Sequence, residues 1–212
     1  MTRRIGILGG SFNPAHGGHL EISRAAIQRL GLDELWWLVS PQNPLKPAEG
    51  MAPFAQRLAN ARAAAAGDRR IKVTGIEARL GTRYTAETLR HLVRRHPDCR
   101  FVWLMGADNL IQIDAWKSWQ QIFHLLPIAV FARPSYCFHA LAAKAARRFA
   151  RYRLRESAGR TLANAEPPAW LFVHSRLNRT SATEIRRGPR RSFGDGRPKS
   201  ATMVSAGTTA KG

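Results

Sequence analysis

Two histidines near the start of the chain, His16 and His19, have the spacing and the setting of a phosphate-binding site. The apolar residues of segment 5–8 predict a buried strand, and apolar positions between 20 and 30 recur with helical spacing. The histidines then fall at the helix N-terminus, where backbone N–H groups and the helix dipole favour an anion. Two imidazoles three positions apart lie on one side of the first turn. We predict a nucleotide phosphate site here; a helix cap or a metal pair is the alternative.

A glycine-rich turn separates this strand from this helix. Gly9 and Gly10 allow the backbone to turn sharply, because they have no Cβ atom to clash. The turn has the sequence Gly-Ser-Phe-Asn-Pro and is followed by His-Gly-Gly-His. This string resembles the signature of the nucleotidyltransferase superfamily, in which Gly-Ser-Phe-Asp/Asn-Pro precedes His-x-Gly-His. Further motifs narrow the resemblance, over roughly residues 3–188, to the bacterial nicotinate-nucleotide adenylyltransferases.

A second phosphate motif follows the last predicted strand. Residues 178–186 read Asn-Arg-Thr-Ser-Ala-Thr-Glu-Ile-Arg, and Ser181 with the glutamate three positions later has the spacing of a capping box. Alone, this would be a helix cap. The string resembles the family's Ile-Ser-Ser/Ala-Thr-x-x-Arg motif, with Thr180 in place of isoleucine. The resemblance implies that Ser181, Thr183 and Arg186 hold the β- and γ-phosphates of ATP, a task that suits the planar fork of arginine.

Three further segments resemble parts of the family that contact the two substrates. Asn-Pro-Leu-Lys46 resembles an Asn-Pro-x-Lys/His-Lys loop, which implies that Lys46 approaches the ATP phosphates; a solvated loop lysine is the alternative. Segment 83–89 resembles the family's Ser-Tyr-Thr-x-x-Thr-Leu, and segment 105–119 its Gly-x-Asp…Trp-x-x-Trp. Together they imply a nicotinate pocket in which Trp116 stacks on the ring and donors near Thr85 hold the carboxylate. Core packing of Trp116 and Trp119 is the alternative.

Two charged residues border the same crevice. Asp108 comes just after a predicted central strand, where a side chain enters the ligand crevice of a parallel sheet. Phe-Ala-Arg133-Pro also resembles a family segment, which implies that Arg133 borders the nucleotide. The implied ATP ligands are Gly9, Gly10, Ser11, Phe12, His16, His19, Asp108, Arg133, Ser181, Thr183 and Arg186. The implied ligands of nicotinate mononucleotide are Asn13, Lys46, Tyr84, Thr85, Asp108 and Trp116.

Strand and helix patterns alternate along the chain, which predicts a single α/β domain with a Rossmann-like parallel sheet and helices on both faces. Strands are predicted at 5–8, 34–40, 71–76, 100–105, 128–132 and 170–173. Helices are predicted at 20–30, 53–66, 85–95 with Thr85 as N-cap, 116–125 and 138–151. Mobile loops are predicted at 40–52 and 159–168. The nucleotidyltransferase domain would cover residues 1–189, and we predict a disordered basic tail at 190–212.

The formal net charge of +20 is the strongest argument for a different class, a nucleic-acid-binding protein without activity. Much of that charge lies in segments 144–160 and 186–199, and no nucleic-acid module is recognisable. We therefore expect no specific nucleic-acid partner.

The chain has no apolar run of transmembrane length and no signal peptide, which predicts a cytoplasmic protein without a membrane partner. Cys99 and Cys137 are expected to be free, buried or half-buried thiols; the oligomeric state is left open.

The resemblance implies transfer of AMP from ATP to nicotinate mononucleotide, giving nicotinate adenine dinucleotide and pyrophosphate in NAD biosynthesis. The nucleophile is the acceptor's own phosphate, so catalysis would be positioning and charge stabilisation by His16, His19, Lys46 and Arg186. Mg²⁺ would be carried and held mainly by the ATP phosphates, and no dedicated metal cage is predicted in the protein. The alternatives within the superfamily are phosphopantetheine or nicotinamide mononucleotide as acceptor. The family's usual second helical stretch after Arg186 is missing from the tail.

Overall fold

The computed structural model describes residues 2–42, 49–132 and 136–174. The predicted ligands Lys46, Arg133, Ser181, Thr183 and Arg186 lie outside the described residues. The predicted helix after Ser181 and the predicted tail lie outside them too.

One parallel sheet organises the described part of the chain. Its strands are β1 (Arg3–Gly10), β2 (Glu34–Val39), β3 (Ile71–Thr74), β4 (Cys99–Gly106), β5 (Ile128–Phe131), β6 (Arg153–Leu154) and β7 (Trp170–Val173). They are ordered β3-β2-β1-β4-β5-β7-β6, and every neighbouring pair is parallel. The chain builds outward from β1 to β3 and then returns to the other side at β4. This reversal leaves a crevice at the carboxyl ends of β1 and β4, as in doubly wound nucleotide-binding folds.

Helices cover both faces of the sheet. They are α1 (Gly17–Leu30), α2 (Phe54–Ala65), α3 (Ile76–Leu80), α4 (Thr85–Arg95), α5 (Ala107–Gln112), α6 (Trp119–Leu125), α7 (Cys137–Ala142) and α8 (Lys144–Arg148), with 3₁₀ turns at Ile113–Ala115, Ala150–Tyr152 and Glu156–Asn164. The predicted α/β class with a parallel sheet is confirmed. Within the described ranges, no helix combines the length and the apolar character needed to cross a membrane.

Alternate residues along the strands divide the core into two layers. Ile5 and Ile7 of β1 pack with Phe101 of β4 in the layer that also contains α4, α5 and α6. Leu8 of β1 and Leu104 of β4 belong to the opposite layer, which contains α1 and α2. The central strands are therefore buried on both faces, which explains their nearly continuous apolar sequences.

Gly9 is required by a close approach inside the sheet. A Cβ atom at this position would stand 2.4 Å from Cη2 of Trp103 on the neighbouring strand β4. Trp103 is 3% exposed, so its ring has little room to move. The glycine thus lets the wide indole pack directly beneath the turn that follows β1.

Several predicted boundaries were wrong. The helix predicted at 138–151 is broken at Ala143, whose ψ of 155° is extended, and the break lets Ala145 and Phe149 enter the core. The loop predicted at 159–168 contains a 3₁₀ helix, because Leu162 is fully buried. The N-cap of α4 is Tyr84 rather than Thr85.

Other differences concern short elements. The strand predicted at 71–76 ends at Thr74 because Ile76 already begins α3, and Trp116 precedes α6 instead of beginning it. The five-residue α3, the six-residue α5 and the two-residue β6 were not predicted, since such lengths show no periodicity. Cys99 begins β4 and is a half-buried free thiol, as predicted.

Candidate active site

His16 and His19 cap α1 reciprocally. The backbone N–H of Gly18 donates to Nδ1 of His16 (3.2 Å), and the backbone N–H of His16 donates to Nδ1 of His19 (3.2 Å). This is the geometry of a capping box built from two imidazoles in place of a hydroxyl and a carboxylate. The alternative interpretation of the pair as a helix cap is therefore confirmed.

The cap determines the chemistry of both rings. Each Nδ1 accepts a hydrogen bond, so it carries no proton, and the proton of each neutral imidazole is on Nε2. The ring centroids are 4.0 Å apart, so both imidazoles lie together at the positive end of α1. Such an arrangement suits an anion with several oxygens.

The ring of Phe12 packs against the ring of His19. Phe12 has a φ of 47°, a left-handed conformation that costs a bulky residue about 1 kcal/mol or more. Phe12 is 2% exposed, and its ring forms a cluster of three rings with His19 (4.7 Å between centroids) and Trp37 (5.0 Å), whose own centroids are 5.8 Å apart. Ser23 completes this packing, because its hydroxyl donates to the carbonyl of His19 and accepts from the indole of Trp37. Because the ring of Phe12 is buried, any contact of Phe12 with a ligand would be made by its backbone.

A cavity of about 330 Å³ opens at the carboxyl end of β1. It is lined by Gly9, Gly10, Ser11, Ser40, Glu77, Arg83, Tyr84, Thr85, Trp103, Asn109, Gln112, Ala115, Trp116 and Lys117. Residues from the predicted ATP turn and from the predicted nicotinate segments thus meet in one space. His16, His19, Asn13 and Asp108 are not part of this lining.

The N-terminus of α4 forms one wall of the cavity. Tyr84 precedes the helix without a capping side-chain bond, and Thr85 is its first residue. The first N–H groups of a helix have no partner within it, so this end favours a carboxylate. The ammonium group of Lys117 lies over the ring of Tyr84, 4.3 Å from its centroid, and adds positive charge to the same wall. Lys117 was missed in the sequence, where it looks like an exposed lysine between two tryptophans.

Glu77 is the acidic residue of the cavity, and sequence reasoning missed it as well. Its carboxylate accepts hydrogen bonds from the hydroxyls of Ser40 and Thr88. Burial raises the pKa of Glu77, because desolvation disfavours the charged form; the two hydroxyl bonds oppose this effect. Thr88 shares a further hydrogen bond with Thr82 (2.8 Å), so the acid belongs to a network that joins β2 to α4.

Asn13 and Asp108, two of the predicted ligands, do not line the cavity. The amide of Asn13 donates to the carbonyl of Gly50 (3.1 Å) and accepts from the N–H of Ala52 (3.2 Å), so its side chain holds this segment against the first turn. Asp108 stands in the first turn of α5, directly past the end of β4, as its position in the sequence predicted. From α5, the residues that line the cavity are Asn109 and Gln112.

The two predicted tryptophans have different surroundings. Trp116 is half-buried and lines the cavity, as the proposed ring-stacking role requires. Trp119 packs edge-on against Phe123 and Phe149, with centroids 6.1 and 5.9 Å apart, in the apolar layer. For Trp119 the core interpretation is therefore right. Among the described residues, no three His, Cys, Asp or Glu side chains are grouped so that they could hold a metal ion.

The glycine turn, the parallel sheet and the capped helix define a nucleotide-binding α/β protein. Residues 7–188 match the family model described as cytidylyltransferase-like. A protein of Methylorubrum extorquens (strain PA1) named probable nicotinate-nucleotide adenylyltransferase is 51% identical over 183 residues, which are 86% of this chain and 98% of that protein. A protein of Cereibacter sphaeroides (strain ATCC 17023) with the same name is also 51% identical, over 86% of this chain and 95% of its own length.

A solved structure shares the fold. Plasmodium falciparum nicotinic acid mononucleotide adenylyltransferase complexed with NaAD matches with a TM-score of 0.65 at 16% identity, over 87% of this chain and 83% of that one. The chain belongs to the cytidylyltransferase-like family and, within it, to the nicotinate-nucleotide adenylyltransferases.

The raised pKa of Glu77 predicts a pH effect on stability. An acid whose pKa is raised by folding stabilises the protein below its unfolded pKa, and this stabilisation is lost as the pH rises through the folded pKa. The Glu77→Gln variant does not titrate there. We therefore expect the free energy of unfolding of Glu77→Gln to increase relative to that of wild type from about pH 4 upward, as measured by urea denaturation across the pH range.

Asp68→Asn is the control of opposite sign. A hydrogen bond from the Arg70 side chain lowers the pKa of Asp68, so its stabilisation is present above the unfolded pKa and is lost on acidification. This variant should show a steady deficit above about pH 5 that shrinks below about pH 4. A pH-independent difference between Glu77→Gln and wild type would contradict the buried environment of Glu77.

Proposed function

We propose that this chain transfers AMP from ATP to nicotinate mononucleotide, giving nicotinate adenine dinucleotide and pyrophosphate, a step of NAD biosynthesis. The observation that carries the proposal is the shared cavity, which joins Gly9–Ser11 of the nucleotide motif to Tyr84 and Thr85 of the acceptor motif. Relatives at 51% identity carry the name of this enzyme.

The ATP side uses the turn after β1 and the start of α1. The backbone of Gly9, Gly10 and Ser11 allows close approach of the nucleotide. The Nε2–H groups of His16 and His19 would donate to phosphate oxygens and stabilise the charge that develops there during transfer. The proposed contacts from elsewhere in the chain are Lys46, Asp108, Arg133, Ser181, Thr183 and Arg186.

The acceptor side uses the start of α4 and Trp116. The pyridine ring would stack on Trp116, and the N–H groups at Thr85 would bind its carboxylate. The 5′-phosphate of the acceptor is anionic at neutral pH and attacks the α-phosphate of ATP in line, so no residue is needed as a base. The P–O bond to pyrophosphate breaks as the new P–O bond forms, and the protein contributes orientation and charge stabilisation.

A divalent cation fits this reaction as part of the ATP substrate. The described residues around the cavity contribute one carboxylate, Glu77, and two hydroxyls already bind it. We propose Mg²⁺ held mainly by the phosphates and water, because Mg²⁺ retains its waters and takes few protein ligands. When bound, it would neutralise the phosphate charge and orient the leaving pyrophosphate.

The acceptor preference tests the proposed function directly. With ATP saturating, nicotinate mononucleotide should exceed nicotinamide mononucleotide by about 10²-fold or more in kcat/KM. The reason is that the amide is neutral and brings donors of its own to a wall of N–H donors and Lys117. Pyrophosphate release is measured with each acceptor in turn, and with phosphopantetheine. Equal values for the two nucleotides, or turnover with phosphopantetheine alone, would rule the assignment out.

Loss of either imidazole should affect turnover more than folding. We expect His16→Ala and His19→Ala each to lower kcat by about 10²-fold or more, the usual effect of removing a preorganised donor. Each also removes part of the α1 cap, which costs about 1 kcal/mol of stability. His91→Ala, at an exposed position of α4, is the control. Normal kcat in both folded variants would show that the histidines act as a cap alone.

A further inference from the structure

Arg57 of α2 is a buried cation that the mechanism above does not use. Its side chain is 1% exposed, although arginine is among the residues least often buried. No ion pair among the described residues includes it, and its Cζ lies 5.7 Å from the ring centroid of Phe54. Burial lowers the pKa of Arg57 because the charged form is desolvated. A buried charge of this kind requires a compensating set of polar partners.

Those partners are four backbone carbonyls from three separate segments. Nη1 donates to the carbonyls of Ser11 (2.6 Å) and Ser40 (2.8 Å). Nη2 donates to Pro41 (2.6 Å), and Nε donates to Ala52 (2.9 Å). The planar guanidinium can reach all of them because its five N–H donors point outward in a fixed fork. A single side chain thereby joins the turn after β1, the end of β2 and the residues before α2.

The same segments carry both halves of the proposed site. Ser11 lies in the turn assigned to ATP, and Ser40 lines the cavity. The hydroxyl of Ser40 binds Glu77, whose other hydroxyl partner is Thr88 of α4. Ser40 therefore connects Arg57, which binds its carbonyl, to Glu77, which interacts with its hydroxyl.

A stabilising role alone does not account for this choice of residue. Burial of a charged group carries a desolvation cost that its hydrogen bonds must offset, so burial of an arginine is a costly route to stability. An arginine can hold several carbonyl acceptors at fixed distances from one another, because its N–H donors have a fixed arrangement. Transfer between two bound substrates depends on such geometry, because a displacement of about 1 Å can lower the rate by about 10²-fold.

We propose that Arg57 is a positioning residue that sets the ATP turn and the acceptor wall at the distance required for transfer. This inference rests on the proposed function, since it assigns ATP and the acceptor to the two sides that Arg57 joins.

The test compares Arg57→Lys with a matched variant of the same helix. Lysine keeps the charge, but its single ammonium group cannot span four carbonyls in three segments. Ala61→Gly is the control, because Ala61 is fully buried in α2 and glycine weakens a helix without touching these carbonyls. kcat per folded molecule and KM for each substrate are measured well below the melting temperature of each variant. Amide hydrogen exchange is followed in peptides that contain Ser40 and Ala52.

For Arg57→Lys we expect kcat per folded molecule to fall by about 10- to 100-fold. Exchange at Ser40 and Ala52 should become faster, since their N–H groups bind Gly10 and Asn13 across the joined segments. Ala61→Gly should keep kcat per folded molecule within about twofold, even with an equal loss of melting temperature. A kcat loss in Arg57→Lys no greater than in Ala61→Gly would overturn the proposal.

Two further outcomes are informative. If wild type does not transfer AMP to nicotinate mononucleotide, the proposed function fails, and the exchange measurement still decides whether Arg57 fixes the three segments. If Arg57→Lys does not fold, the same comparison is made with Arg57→Gln. Failure of both variants to fold would overturn the positioning role, because Arg57 would then serve folding itself.

Discussion

The reciprocal hydrogen bonds between His16 and His19 are the constraint on which the rest of the site depends. They determine where α1 begins, because they satisfy N–H groups that the helix cannot satisfy itself. They also determine the tautomer of each ring, so one interaction serves folding and chemistry together. The inward ring of Phe12 and the bond from Ser23 hold His19 in place, at the cost of a left-handed backbone at Phe12.

The sheet topology brings distant parts of the chain to this helix. Because β1 lies between β2 and β4, the segments after these three strands open at the same end of the sheet. Ser40 follows β2, and Asp108 follows β4. Gly9 allows Trp103 to pack beneath the turn, and Arg57 joins the turn to the end of β2. The cavity is thus a product of strand order, while its dimensions depend on a few tight side-chain contacts.

Features set by local sequence could be predicted. The alternation of apolar patterns predicted the parallel sheet, and the spacing of His16 and His19 placed them correctly at a helix N-terminus. The structure places Tyr84, Thr85 and Trp116, which the resemblance assigns to the acceptor, in one cavity with the glycine turn. The strand and helix signals lie within short segments, whereas the grouping of residues 84, 85 and 116 came from the resemblance and not from local periodicity.

Features set by distant partners could not be predicted. Arg57 looks like one more exposed arginine of a highly basic chain, and its burial depends on carbonyls in three other segments. Glu77 lies on a five-residue helix without periodicity, and its hydroxyl partners come from β2's end and from α4. The inward turn of Phe12 depends on Trp37, twenty-five positions further along.

The most direct test of this account is the state of the two imidazoles in solution. Long-range ¹H–¹⁵N correlation spectra of histidine-labelled protein report which ring nitrogen carries the proton. We expect the Nε2–H tautomer for both His16 and His19, and we expect Mg²⁺·ATP to shift their Nε2 resonances while those of the exposed His91 stay in place. A proton on Nδ1 of either ring, or an absence of any response to Mg²⁺·ATP, would contradict the claim that the helix cap is also the phosphate site.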